Sequence, residues 1–216
     1  MNVTIIDYGV GNLRSLRRGL ERADATVSIS DDPAEIAAAE ALVLSGVGAF
    51  EECVRNSKPF HDVLLEAAED TPILGICVGL QLMFTESEEG APEGETISGL
   101  DLISGRVVRL PRGEVKVPHM GWNELAIERD HPLVADIADD DFAYFVHSYC
   151  CAADEHTIAS CDYGFEFAAV ATNEAGNVMG TQFHPEKSGE TGLQLLENFV
   201  DYARAYHADA PEAALE

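Results

Sequence analysis

Basic residues are scarce in this chain. Thirteen lysines and arginines stand against 39 aspartates and glutamates, a formal net charge of −26, and Lys58, Lys116 and Lys187 are the only lysines. A surface so negative repels nucleic acid and anionic membranes, which argues against either as a partner. The carboxylates are spread along the chain, from Asp31 and Asp32 through Glu88 and Glu89 to Asp139, Asp140 and Asp141, and do not gather in a tail. Self-repulsion on this scale is costly in dilute buffer and tolerable in concentrated salt, where the Debye length falls to about 3 Å at 1 M. The composition therefore predicts a halophilic protein.

Long hydrophobic runs are missing too. The longest largely apolar stretch, residues 73–84, is interrupted by Gln81 and falls short of the roughly 18 residues that a membrane-spanning helix needs. The first residues carry no basic region and reach Asp7 at once, unlike a secretory signal, so a cytoplasmic protein is expected. Five cysteines, Cys53, Cys77, Cys150, Cys151 and Cys161, form an odd set without CxxC spacing, which argues against a disulfide framework and a zinc ribbon. No repeat, Pro/Ser-rich linker or compositional break divides the chain. It reads as one domain over residues 1–206, with 207–216 as a flexible tail.

The first half alternates β-branched runs with helical stretches: strands at 3–6, 26–29, 41–44 and 73–76, helices at 12–22, 34–40 and 49–68. This βαβ rhythm predicts an α/β fold with a parallel sheet. From Gly105 onward the runs lie closer together, at 106–110, 142–149, 157–160, 167–171 and 178–183, and are expected to extend the sheet as antiparallel strands. Residues 189–206 read as a closing helix, with Leu193, Leu196 and Val200 at helical spacing. The Glu/Gly-rich segment 86–96 reads as a mobile surface loop.

Two segments carry chemistry. Residues 71–84 have the order of a nucleophile elbow: a buried strand, Cys77 flanked two positions either side by Gly75 and Gly79, then a helix. The turn crowds the backbone, which residues without Cβ relieve, and a helix N-terminus favours the thiolate. A buried structural thiol is the competing reading. In the second segment, residues 178–188, His184 and Glu186 flank Pro185. A nucleophilic thiol needs a base, and the base an orienting partner; Pro185 is expected to fix an extended geometry that puts both side chains on one side. The competing reading is a strand-terminal histidine beside a solvated glutamate. H-x-E also occurs in zinc deaminases, but no P-C-x-x-C follows here.

Together the two segments make a family recognisable. The chain resembles the class I glutamine amidotransferases, and among them the glutaminase subunits of imidazole glycerol phosphate synthase. The resemblance runs nearly end to end, through residues 7–13 (DYGVGNL), 45–50 (SGVGAF), the Cys77 elbow, 116–123 (KVPHMGWN), 144–149 (YFVHSY) and 180–188. It implies a three-layer fold with a mixed, largely parallel central sheet and helices on both faces. It further implies L-glutamine as substrate, Cys77 as nucleophile, His184 as acid and base, and Glu186 as its orienting carboxylate. By the same resemblance, Gln81 and the Ser148–Tyr149 backbone line the glutamine pocket, and the Val78 amide and the Gly46-Val47-Gly48 strand serve the oxyanion.

The family's usual Pro is replaced by Ser45, which leaves the chemistry intact and bears on how that strand reorients. The resemblance implies neither metal nor organic cofactor. It implies a heterodimer with a TIM-barrel cyclase that takes up the ammonia in histidine biosynthesis, forming imidazole glycerol phosphate and AICAR. Asn12, Trp122, Tyr144 and Lys187 would face that partner, while on the residues alone Trp122 and Tyr144 read equally well as core aromatics, and His119 and His147 read as structural or interface histidines. Three rivals remain: the glutaminase of pyridoxal phosphate synthase, a cysteine peptidase of similar architecture, and a non-catalytic protein that retains the fold.

Overall fold

The computed structural model describes residues 1–113 and 115–209. The first half folds as β1 (Asn2–Ile6), α1 (Leu13–Arg22), β2 (Thr26–Ser30), α2 (Pro33–Ala37), β3 (Ala41–Gly46), α3 (Phe50–Ser57), α4 (His61–Ala67), β4 (Ile73–Cys77) and α5 (Val78–Met83). A 3₁₀ turn, Lys58–Phe60, splits the single helix expected over 49–68, because Pro59 offers no N–H to continue an α-helical ladder. The second half holds β5 (Phe84–Ser87), β6 (Ile97–Ser98), β7 (Ile103–Arg109), β8 (His119–Glu124), β9 (Ala126–Ile127), β10 (Phe142–His147), β11 (Tyr149–Cys151), β12 (Thr157–Asp162), β13 (Glu166–Thr172), β14 (Val178–Thr181) and α6 (Gly189–Asp209).

The central sheet has the order β2-β1-β3-β4-β14-β13-β12-β9. Its first five strands are mutually parallel, and the last three continue it antiparallel. Every residue of β3 and β4 is buried, as expected of parallel strands covered on both sides. α1 packs with α6, and α3 with α5; the β1–β2 connection that holds α1 and the β3–β4 connection that holds α3 run in opposite directions along the sheet, and right-handed crossovers then put these pairs on opposite faces.

The expectation for the second half needs correction. β12 and β13 extend the sheet, but β14 runs parallel beside β4, β10 pairs with β8 in a separate ribbon, and β7 joins β11, β5 and β6 in a sheet of its own. Local pattern marks a strand, whereas its partner is decided by distant packing. The segment 86–96 is also more structured than a free loop. Glu86 and Ser87 close β5 and pair with β6, Thr96 donates to Glu86, and Glu89 accepts from the Phe50 amide. α6 continues to Asp209, past the boundary expected at 206; the remainder of the expected tail, 210–216, lies outside the described residues.

Candidate active site

β1, β3, β4 and β14 point their C-terminal ends at one edge of the sheet. In register, Gly46 stands beside Cys77 and Thr181 beside Ile76, so the chain just past β14 meets the chain just past β4. Cys77 sits at the turn from β4 into α5 with φ 55° and ψ −112°. That conformation strains any residue with a Cβ and persists only where the surroundings impose it. Here the imposition comes from close packing: a Cβ on Gly79 would overlap the Leu44 carbonyl oxygen, and one on Gly75 would come within 2.7 Å of the Met83 sulfur. The elbow expected from the spacing is therefore present. α5 has only six residues, which reduces the part a helix dipole can play and leaves more to the polar neighbours.

Those neighbours come from the second segment. His184 is extended, and Pro185 opens a short 3₁₀ turn, Pro185–Lys187, instead of prolonging the strand. The turn brings Glu186 back onto the ring: Nδ1 of His184 lies 3.0 Å from Oε1 of Glu186, with the two side chains 1% and 2% exposed. Burial alone would lower the imidazole pKa. Hydrogen bonds to the Cys77 sulfur and to Glu186, reinforced by their charge, outweigh it and raise His184 to about 9.

The cavity beside Cys77 measures about 360 Å³ and is lined by Val47, Gly48, Val78, Gln81, Ser148 and Tyr149, with His184 at its wall. Gln81 gives its amide hydrogens to the Tyr149 carbonyl and to Oε1 of Gln182, at 2.9 and 3.0 Å. Its own Oε1 is buried without a donor. Gly46 is wedged at the end of β3, where a Cβ would lie 2.7 Å from the Tyr8 hydroxyl. Val47 turns its carbonyl to the Cys53 thiol, and Ser45 is buried beside the Gly11 turn. Trp122 and Tyr144 meet edge to face at 5.8 Å, and Lys187 lies 6.0 Å over the Tyr144 ring. These three therefore form one cluster at the rim, with Trp122 half exposed, while Asn12 precedes α1 at the same end of the sheet.

Two residues escaped the sequence reading. Gln182 donates to the Cys77 sulfur at 3.7 Å; the available signal was a lone amide in the apolar run 178–183. Glu89 also lines the cavity, and burial raises its carboxyl above the ordinary range. An acidic run such as 86–89 reads as solvated surface, which hid it. Among the described residues there is no metal-binding cluster of three or more His, Cys, Asp or Glu side chains, and no helix long and apolar enough to cross a membrane.

Comparison with known proteins supplies the family. The model for glutamine amidotransferase class-I matches residues 4–203, and the chain belongs to that family. Within it, the chain is 57% identical to the imidazole glycerol phosphate synthase subunit HisH of Natronomonas pharaonis over 93% of this chain and 94% of that one. It is equally similar to the subunit of that name in Halobacterium salinarum, with 93% of each chain covered. The subunit in Methanosarcina acetivorans is 53% identical over 92% of this chain and 98% of that one. These relatives place the chain in the HisH branch. Among solved structures, a glutamine amidotransferase superposes with a TM-score of 0.71 at 18% identity, covering 94% of this chain and 98% of that one. PurLQS from Thermotoga maritima superposes with a TM-score of 0.66 at 17% identity over 93% and 98%. The class I amidotransferase fold expected from the sequence is the fold observed.

Proposed function

We propose that the chain is the glutaminase subunit of an imidazole glycerol phosphate synthase, cutting L-glutamine to glutamate and ammonia for a cyclase partner in the cytoplasm. The observation that carries this reading is Cys77, held at a strained elbow against a histidine that a buried carboxylate orients. The Cys77 thiolate attacks the side-chain amide carbon, and the carbonyl π electrons move to oxygen. The Val78 N–H and an N–H of the Gly46-Val47-Gly48 strand receive that oxyanion. Its collapse breaks the C–N bond while His184 gives its proton to the departing nitrogen, releasing ammonia and leaving a γ-glutamyl thioester. His184 then takes a proton from water, which attacks the thioester and frees glutamate and the thiolate. Glu89 and the unsatisfied Oε1 of Gln81 offer acceptors for the substrate's α-ammonium group. The rim formed by Trp122, Tyr144 and Lys187, together with Asn12, faces the cyclase, so ammonia leaves directly into the partner.

The test is Cys77→Ala in the reconstituted heterodimer, measured with glutamine and with added ammonium as nitrogen source. Glutamine-driven synthesis is expected to vanish and ammonium-driven synthesis to persist, because the thiol serves ammonia release alone. Glutamine-driven turnover near the wild-type rate would overturn the assignment.

A further inference from the structure

The backbone of His184 is anchored to β10 by a clamp that one side chain completes. His184 donates its amide to the Tyr144 carbonyl at 3.1 Å. In an antiparallel hydrogen-bonded pair the two residues would exchange a second bond, from the Tyr144 amide to the His184 carbonyl. That bond is not made directly. At the 3₁₀ turn the His184 carbonyl accepts from the Lys187 amide at 3.0 Å, and the Ser188 hydroxyl fills the gap to β10. Its Oγ accepts from the Tyr144 amide at 2.9 Å and donates to the His184 carbonyl at 2.7 Å.

The direction of each bond is fixed, because a peptide N–H only donates and a carbonyl oxygen only accepts. The single hydroxyl hydrogen must therefore lie toward His184, with a lone pair toward Tyr144. Ser188 itself has little freedom. It is buried, its amide donates to the Pro185 carbonyl at 3.1 Å, and its carbonyl accepts from the Gly192 amide of α6 at 3.2 Å. A Cβ on Gly192 would overlap the Pro185 carbonyl oxygen, so α6 lies directly on the turn. The hydroxyl is thus carried on a frame built by α6 and reaches across to β10.

We propose that Ser188 is a positioning residue for His184: its hydroxyl fixes the His184 peptide against β10 and thereby sets where the imidazole stands between Cys77 and Glu186. The inference rests on His184 serving glutamine cleavage. Removing the hydroxyl leaves the Tyr144 N–H without this partner and the His184 carbonyl with the turn's own bond alone. An unpaired buried donor is costly, so the segments shift to recover a partner, and the ring moves with its peptide. Reacting groups need placement to about 0.5 Å, and a displacement of about 1 Å can cost about 10² in rate. Gln81 and Tyr149 hold the cavity from α5 and β11, outside this clamp, so binding should suffer less than turnover.

Ser188→Ala removes the hydroxyl, and Ser188→Thr keeps it. In the heterodimer, with active sites counted by an electrophilic glutamine analogue at Cys77, the Ala variant is expected to lower the glutamine kcat about 10–10²-fold and to hold KM within about threefold. The Thr variant should recover kcat to within about threefold of wild type. Ammonium-driven synthesis bypasses His184 and should not change in either. Titration of the histidine ¹⁵N shifts in the full chain reads the ring itself. His184, raised to about 9 by its bonds to Cys77 and Glu186, should titrate lower in the Ala variant, whereas a purely structural role would lower the melting temperature alone. Wild-type kcat in the Ala variant, an unchanged His184 titration there, an ammonium-driven rate that falls in parallel, or a Thr variant that melts normally yet turns over no faster than Ala would each overturn the proposal. Should the added methyl of Thr unfold the chain, the kcat and titration of the Ala variant decide. If the wild type cleaves no glutamine, the assigned substrate is wrong, and the titration still decides whether Ser188 places the ring.

Discussion

All five cysteines are free and buried, yet the two regions that hold most of them differ in what they make of a thiol. In the antiparallel flank, Cys150 and Cys151 lie on β11 and Cys161 on β12. Burial pushes Cys151 and Cys161 up to about 12 and drives Cys150 upward as well; such thiols stay protonated and inert. At the elbow, Cys77 is as buried as its counterparts but sits in a left-handed turn, with a glutamine amide at 3.7 Å and a charge-stabilised imidazole beside it. Exposure therefore does not separate the proposed nucleophile from the flank thiols. Backbone strain and polar neighbours do, and both come from residues distant in sequence.

The strongest way to break this contrast is to remove the elbow. Gly79→Ala places a methyl group on the Leu44 carbonyl of the adjacent strand, and backbone on both sides leaves nowhere to relax. The variant is expected to yield little folded protein, read as loss of the cooperative melt; a normal melt would show that the turn tolerates a side chain. Glu186→Gln is gentler. It keeps a hydrogen-bonding group of similar shape but removes the charge, so the His184 pKa falls, although the hydrogen bond to Cys77 still raises it against burial. Because the wild-type pKa is raised, the pair's stabilisation is complete below the ordinary histidine value of about 6.5 and is lost as pH climbs through about 9. In the variant that alkaline loss should shrink and move to lower pH, and glutamine turnover should fall about 10²–10⁴-fold, as when a triad loses its orienting carboxylate. A pH series of melts and initial rates checks both; an unchanged rate would remove Glu186 from the mechanism.

Legibility in the sequence divided along the same line. The parallel half was readable because β3 and β4 are short, buried, largely apolar runs, and the elbow because the spacing of Gly75, Cys77 and Gly79 is itself local, even though the contact that demands Gly79 comes from Leu44 on the neighbouring strand. Cys77, His184 and Glu186 were nameable for the same reason. The partners of β7 and β10 were not readable, since an alternating strand fits any sheet with one buried face. Glu89 and Gln182 were missed because their burial is set by elements elsewhere in the chain. The 3₁₀ turn at Pro185 reversed the expected means and kept the expected result, bringing Glu186 onto His184 by bending the chain instead of extending it.

The mildest test sharpens the contrast through salt. With −26 net charge, screening of carboxylate repulsion is expected to decide how often the fold opens, since self-repulsion destabilises a compact state and molar salt shortens its range to about 3 Å. Buried thiols report opening directly, because a neutral alkylating reagent reaches Cys150, Cys151 and Cys161 only in locally or globally unfolded molecules. Cys77 lines the cavity and is reachable in the closed state. In molar KCl, labelling should therefore fall chiefly on Cys77. On transfer to dilute buffer, the flank cysteines should label at least about tenfold faster, which corresponds to about 1.4 kcal/mol less opening free energy, and the melting temperature should drop in parallel. Cys77 should change less, since its rate does not wait on unfolding. Flank labelling that ignores salt would show that the carboxylates lie too far apart to strain the fold, and the halophilic reading of the composition would fail while the elbow chemistry stood. Flank labelling as fast as Cys77 even in molar KCl would instead undo the contrast between the two regions.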